Sequence, residues 1–288
     1  MQFFIVDVFA EQKYQGNQLA VFAVDRDLAS EEMQQIAREM HFSESTFILS
    51  RDRRDGAFDV RIFTPDMEVP FAGHPTLGTA FVLREILGWE RADRVVLNLG
   101  VGPIPVDFRD GILTMEQKTP VFGPVIEDRQ RIADILGIPL ADLEEKLPIQ
   151  VVSTGLPAVI VPLRTRDAVA RCAIRAELYQ RFLDDTAKAA ICAFTGEAEH
   201  AGNDFRVRVF VDDPGFFEDP ATGSANGNLA GYLLEHGYFD RTDVQYRVEQ
   251  GYEMGRPSLL YVAAMKNERG THIRVGGRVF RVAEGRWD

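Results

Sequence analysis

Two short turns and one glutamate are where side-chain type and neighbours could do chemistry in this chain. Ala72-Gly73-His74-Pro75 and Thr222-Gly223-Ser224-Ala225 each read as a tight turn that opens a helix. A helix start carries unpaired N–H groups and a partial positive charge, and glycine lets a ligand reach the backbone. Gly73, Gly223 and Ser224 are therefore candidates for holding a carboxylate or phosphate. His74 lies in the first turn, and Asp219 precedes Pro220 just before the second. Glu44 sits in His41-Phe42-Ser43-Glu44-Ser45-Thr46-Phe47, flanked by apolar and hydroxyl residues. Partial desolvation there would raise a carboxyl pKa toward the range useful for moving protons. Each residue also has a plain reading: glycines that relieve packing, Ser224 as an N-cap, Asp219 as an Asp-Pro loop start, Glu44 as an exposed glutamate.

Repetition favours the functional reading of the turns. FDVRIFTPDMEVPFAGHPTLG begins at Phe58 and FRVRVFVDDPGFFEDPATGSANG at Phe205, so the strands are offset by 147 positions and the turns by 150. That is close to half of 288 residues and implies two like domains in tandem, able to face each other across a cleft and offer the same kind of helix end to one ligand. The boundaries are set at 1–118 plus about 278–288 for the N-terminal domain and 119–277 for the C-terminal one.

The elements around these turns follow from periodicity. Strands are expected at Gln2–Phe9, Gln18–Val24, Thr46–Leu49 and Phe58–Phe63, and a helix from an N-capping Ser30 to Met40 with Met33, Ile36, Ala37 and Met40 on one face. Thr76–Leu87 is apolar nearly all round, so it belongs inside a protein, stopped by Gly88. Strands Arg94–Leu99, Ile104–Phe108 and Ile112–Gln117 complete the first half. The second half adds a helix Asp128–Leu136, helical segments around Leu178–Ala189 and a central helix Ser224–Glu235. Its strands are near Gln150–Ser153, Ala158–Val161, Ala190–Phe194, Phe205–Val211, Val244–Gln250, Ser258–Met265, His272–Val275 and Arg278–Val282. The fold class is α+β: two tandem, pseudo-symmetric domains, each a mixed sheet around one central helix. Regular βαβ alternation, a G-x-G-x-x-G and a P-loop are missing, which argues against a dinucleotide or nucleotide fold.

A net charge of −12 with a pI near 5.0 argues against nucleic acid or an anionic membrane as partner. Cys172 and Cys192 form no C-x-x-C, so a disulfide framework is not expected and a reducing cytoplasm is the simplest home. The apolar start MQFFIVDVFA reads as a strand, too short for a span and without signal-peptide pattern. His41, His74, His200, His236 and His272 show no metal-ligand spacing, so neither a metal nor a cofactor is expected.

SESTF, GNQLAVF, RIFTPDMEVPFAGHPTLG and FEDPATGSANG together resemble the phenazine-biosynthesis PhzF family of isomerases along nearly the whole chain. The resemblance implies a diaminopimelate epimerase-like fold whose C-terminal strand, roughly Arg278–Trp287, returns to the first domain. It implies Glu44 as general acid/base, matches His74, Asp219 and Ser224 to the family's motifs, and suggests a homodimer. Ser45 stands where threonine is usual. Relatives that racemise with two thiols carry one at each helix start; here His74 and Ser224 hold those places. The activity expected is a cofactor-independent proton shift within a small carboxylate-bearing substrate. Two rivals stay open: a hydrolase built on Ser224, His74 and Asp219, though the turn is not a G-x-S-x-G elbow, and a non-catalytic anion-binding protein.

Overall fold

The computed structural model describes residues 1–185, 188–213, 216–268 and 270–288. The chain folds into two compact units, Met1–Glu116 with Gly276–Asp288, and Gln117–Val275.

In the first unit, β1 (Gln2–Val8), β2 (Asn17–Ala23), α1 (Ser30–Met40), β3 (Ser45–Ile48), β4 (Phe58–Phe63), β5 (Glu68–Val69), α2 (Gly73–Phe81), β6 (Arg94–Leu99), β7 (Gly102–Arg109) and β8 (Ile112–Glu116) follow in order. β1 pairs antiparallel with β2, β2 parallel with β3, and β3 antiparallel with β4. β4 then pairs antiparallel with β5 and parallel with β6, which leads antiparallel into β7 and β8. α2 packs against β1, β2, β3, β6, β7 and β8, and every residue from His74 to Ala80 is buried. A helix without a polar face can be stable only when a sheet surrounds it.

The second unit contains β9 (Val121–Val125), α3 (Arg129–Leu136), β10 (Gln150–Ser153), β11 (Pro157–Pro162), α4 (Arg166–Arg171), α5 (Ala176–Asp185), β12 (Ala190–Thr195), β13 (Phe205–Asp213), β14 (Phe216–Asp219), α6 (Gly223–Glu235), β15 (Asp243–Gln250) and β16 (Ser258–Asn267), with β17 (Gly270–Gly277) reaching the boundary. Its pairings repeat the first unit's: β10 with β11 antiparallel, β11 with β12 parallel, β12 with β13 antiparallel, β13 with β14 antiparallel and with β15 parallel. α6 packs on β10, β11, β12 and β16. The last strand, β18 (Val279–Arg286), pairs antiparallel with β1 of the first unit.

Registers turn this likeness into a residue-by-residue correspondence. Ile62 faces Val69 as Val209 faces Asp219, and Phe58 faces Leu97 as Phe205 faces Val248. Thr46 faces Ile62 as Cys192 faces Val209.

Several elements differ from the periodicity reading. Ser30 is the first residue of α1 rather than its cap; Ala29 takes the cap position with no side-chain bond. The first central helix starts at Gly73, and Val82–Ile86 winds as a π-turn that ends in Gly88 at φ +63°. The short strands β5, β9 and β14 and the helix α4 carry too little apolar periodicity to stand out in the sequence. Within the expected helical segment 178–189, positions 186 and 187 lie outside the described residues.

The outer layer of the first unit is an aromatic ladder. Phe22 stacks on Phe3 and Phe47 at 5.9 and 5.0 Å, and Trp287, just after β18, meets Phe3 and Phe22 edge-on. Phe22 is fully buried. Phe22→Ala is expected to lower the unfolding free energy by about 3–5 kcal/mol, measured by urea titration against the parent protein.

Candidate active site

Three neighbouring elements bring Glu44 and His74 together in the first unit. Glu44 is the residue before β3, and His74 is the second residue of α2. The imidazole is 5% exposed, with Nε2 3.2 Å from the Gln18 carbonyl of β2 and 3.6 Å from Glu44 Oε2. A carbonyl only accepts, so Nε2 carries the proton and Nδ1 is the acceptor nitrogen. Burial pulls the His74 pKa down to about 3, against a smaller opposing effect of the Gln18 bond. The ring is thus neutral at ordinary pH, and its contact with Glu44 is a dipole beside a carboxylate rather than an ion pair. Around them, Ser43 Oγ donates to Asn17 Oδ1 at 3.3 Å, and the buried hydroxyls of Thr46 and Thr79 share a bond of 2.8 Å. That second bond ties the strand after Glu44 to the helix that carries His74.

The turn of the second unit holds Asp219 and Ser224. Asp219 ends β14, and Ser224 is the second residue of α6, not its cap. The cap residue is Thr222, whose hydroxyl donates to Asp219 Oδ2 at 2.5 Å instead of capping the helix. Neither α2 nor α6 has a side-chain cap, whereas α3 and α4 are capped by Asp128 and Thr165. The leading N–H groups of both central helices, beginning with those of Gly73 and Gly223, thus donate to no cap side chain.

Identical braces set each turn. Arg61 grips Glu68 with two bonds of 2.7 and 2.6 Å, and Arg208 grips Glu218 with 2.8 and 2.6 Å. Behind each turn a strand end closes against a proline. A Cβ on Gly100 would lie 2.8 Å from Pro70 Cα, and one on Gly251 2.5 Å from the Pro220 oxygen. Sequence reasoning missed these braces, although an arginine in the fourth place of both repeated strands was a visible signal.

The registers also show where the units part. Glu44 corresponds to Ala190, and the pair Thr46 and Thr79 to Cys192 and Leu229. His74 corresponds to Ser224, and Asp219 to Val69. A carboxylate next to the central helix thus occurs before β3 in one unit and before α6 in the other. Cys172 and Cys192 are free and buried, and burial pushes both thiols up to about 12, so neither serves as a thiolate. Among the described residues no cluster of His, Cys, Asp and Glu could hold a metal, and no helix is long and apolar enough to cross a membrane.

Comparison with known proteins places this geometry. A family model described as phenazine biosynthesis-like protein matches residues 6–285. A Pseudomonas aeruginosa trans-2,3-dihydro-3-hydroxyanthranilate isomerase is 38% identical over 290 residues, covering 99% of this chain and 98% of the relative. The crystal structure of a Bacillus anthracis phenazine biosynthesis protein of the PhzF family superposes with a TM-score of 0.91 at 28% identity, covering 99% and 98% of the two chains. A hydroxyproline epimerase from Agrobacterium vitis shares the fold at TM-score 0.58 and 12% identity, covering 99% and 91%. The α+β architecture expected from the sequence, with the epimerase-like fold that the resemblance implied, is therefore the observed fold.

Two outcomes follow from the electrostatics. Between pH 6.5 and 3 the unfolded chain binds a proton at His74 that the folded chain does not, so stability is full above that window and falls as pH drops through it. The loss reaches up to about 5 kcal/mol; in His74→Gln the slope of unfolding free energy against pH should fall by one proton, read by urea titrations at several pH values. Glu218→Gln breaks a buried pair and should cost about 3–5 kcal/mol, whereas Glu68→Gln, in a half-exposed pair, should cost under about 1 kcal/mol, both read by urea titration.

Proposed function

This chain belongs to the PhzF family of phenazine-biosynthesis-like isomerases, and on that premise we propose that it shifts a proton within a small carboxylate-bearing substrate, with Glu44 as the single general acid/base. The observation that carries this reading is the divergence of the repeat. Glu44 sits beside a buried helix start, while the matching place in the second unit holds Ala190, so Glu44 has no glutamate counterpart, which supports one glutamate both taking and returning the proton.

In the proposed reaction Glu44 removes a proton from an activated carbon. The pair of electrons left behind spreads along a conjugated system, and the carboxylic acid gives the proton back at another carbon. Nothing is oxidised or reduced, and no cofactor is called for. Gly73 and Gly223 each begin a helix whose leading N–H groups favour negative charge, which suits them to a substrate carboxylate. Neutral His74, its Nε2 3.6 Å from Glu44 Oε2, orients a polar substituent of the substrate. The roles of Asp219 and Ser224 toward substrate are supported by the duplicated motif and by the family resemblance.

The hydrolase reading asks His74 to be the base for Ser224. With its pKa near 3 the ring is a poor base at neutral pH, where general-base catalysis works best with a pKa close to the operating pH. The anion-binding reading leaves a partly buried carboxylate beside an anion site with no task.

The assay uses trans-2,3-dihydro-3-hydroxyanthranilate and a panel of small unsaturated amino and hydroxy acids in D2O. Deuterium incorporation by mass spectrometry reports proton transfer. Glu44→Gln is expected to slow exchange by about 10²–10⁴-fold with folding unchanged; exchange at the parent rate would overturn the assignment.

A further inference from the structure

We propose that Gln250 is a positioning residue that holds the Asp219 carboxylate by fixing the direction of a hydrogen-bond chain through Thr222. Gln250 is the last residue of β15 and is completely buried. Its amide nitrogen donates to the Asp219 carbonyl at 2.7 Å and to Thr222 Oγ1 at 3.0 Å. Its amide oxygen accepts from the Thr222 backbone N–H at 3.2 Å and from Asn226 Nδ2 at 3.0 Å. Both N–H donors and both lone pairs are therefore used, and turning the amide over would set donors against donors and oxygen against oxygen.

The direction of the chain then follows. Thr222 Oγ1 must accept from Gln250, so its single proton is free to point only at Asp219 Oδ2, 2.5 Å away. Gln250 donates, Thr222 relays, and Asp219 receives. The Asp219 residue is held at its carbonyl and at its carboxylate by one buried amide.

Such a network could merely build the turn. The first unit answers that, because it builds the same turn without it. Gly100 and Gly251 close on Pro70 and Pro220 alike, and the registers match Gln250, Thr222 and Asp219 with Leu99, Ala72 and Val69. All three polar positions are apolar where no aspartate is present. The brace and the glycine–proline packing suffice for the turn, and the polar chain accompanies the carboxylate.

The consequence for turnover rests on the isomerase reading above; the positioning itself does not. Crystal structures of Gln250→Leu, Thr222→Val and Thr222→Ser, with the D2O assay on each, separate the two. In Gln250→Leu and Thr222→Val the Asp219 carboxylate should leave its place by more than about 1 Å with α6 and β15 unmoved, while Thr222→Ser should keep it. A displacement of that size costs about 10²-fold in rate, so kcat should fall by that order with KM little changed. The double variant should be no slower than the worse single one, and Thr222→Ser should retain the parent rate. An unmoved carboxylate in both variants, or multiplicative losses in the double, would overturn the proposal. Should Gln250→Leu fail to fold, the Thr222 pair decides by itself. If Glu44→Gln exchanges as fast as the parent, the isomerase mechanism fails while the crystal structures still decide the positioning.

Discussion

A guanidinium fork closed on a carboxylate governs the strand–turn–helix segment that this chain contains twice. With two nitrogens of Arg61 and of Arg208 engaged at once, neither β5 nor β14 can slide along its neighbour. The turn that follows starts from a fixed point, and so does the buried helix. Two bonds in one plane constrain direction as well as distance, which a lysine could not do. The same device lies half in solvent in one unit and is buried in the other. It therefore supplies geometry in both, and losing one partner costs more where the pair is buried.

On this shared frame the two units carry different polar residues. The first keeps a glutamate, a neutral histidine and a pair of buried hydroxyls around its helix. The second replaces the glutamate by Ala190 and the hydroxyls by Cys192 and Leu229, and places its carboxylate on the turn instead. A duplicated scaffold that served stability alone would have no reason to sort its polar residues in this way. A separate ionic cluster in the second unit, in which Arg206 bonds Glu199 and Glu253, ties the strand that carries Arg208 to nearby loops.

Much of this was legible in the sequence, for reasons that differ by residue. The two turns and their helices stood out because small residues before an apolar run leave a local signal. Glu44 stood out less: its apolar and hydroxyl neighbours made it a candidate, an exposed glutamate was the plain reading, and the resemblance gave it its weight. Ser224 could be read as an N-cap and is instead the second residue of the helix; the cap position belongs to Thr222, whose hydroxyl bonds a nearby carboxylate rather than the helix amides. Gln250 left no trace, because its partners are 28 and 31 residues away and a glutamine at a strand end is usually solvated. The π-turn at Val82–Ile86 was equally hidden, as its residues suit an α-helix. Local patterns announce elements, whereas buried polar networks arise from packing that brings distant residues together.

The return of β18 to β1 has a consequence for biogenesis. The second unit is contiguous and can close as soon as its own residues leave the ribosome. The first must wait, with β1 lacking its neighbour, until about 160 further residues have been translated. During that interval an apolar sheet edge is left unpaired, the kind of surface that chaperones occupy and that nascent chains use to stick together. Synthesis order thus runs against completion order: the half translated first is the half finished last.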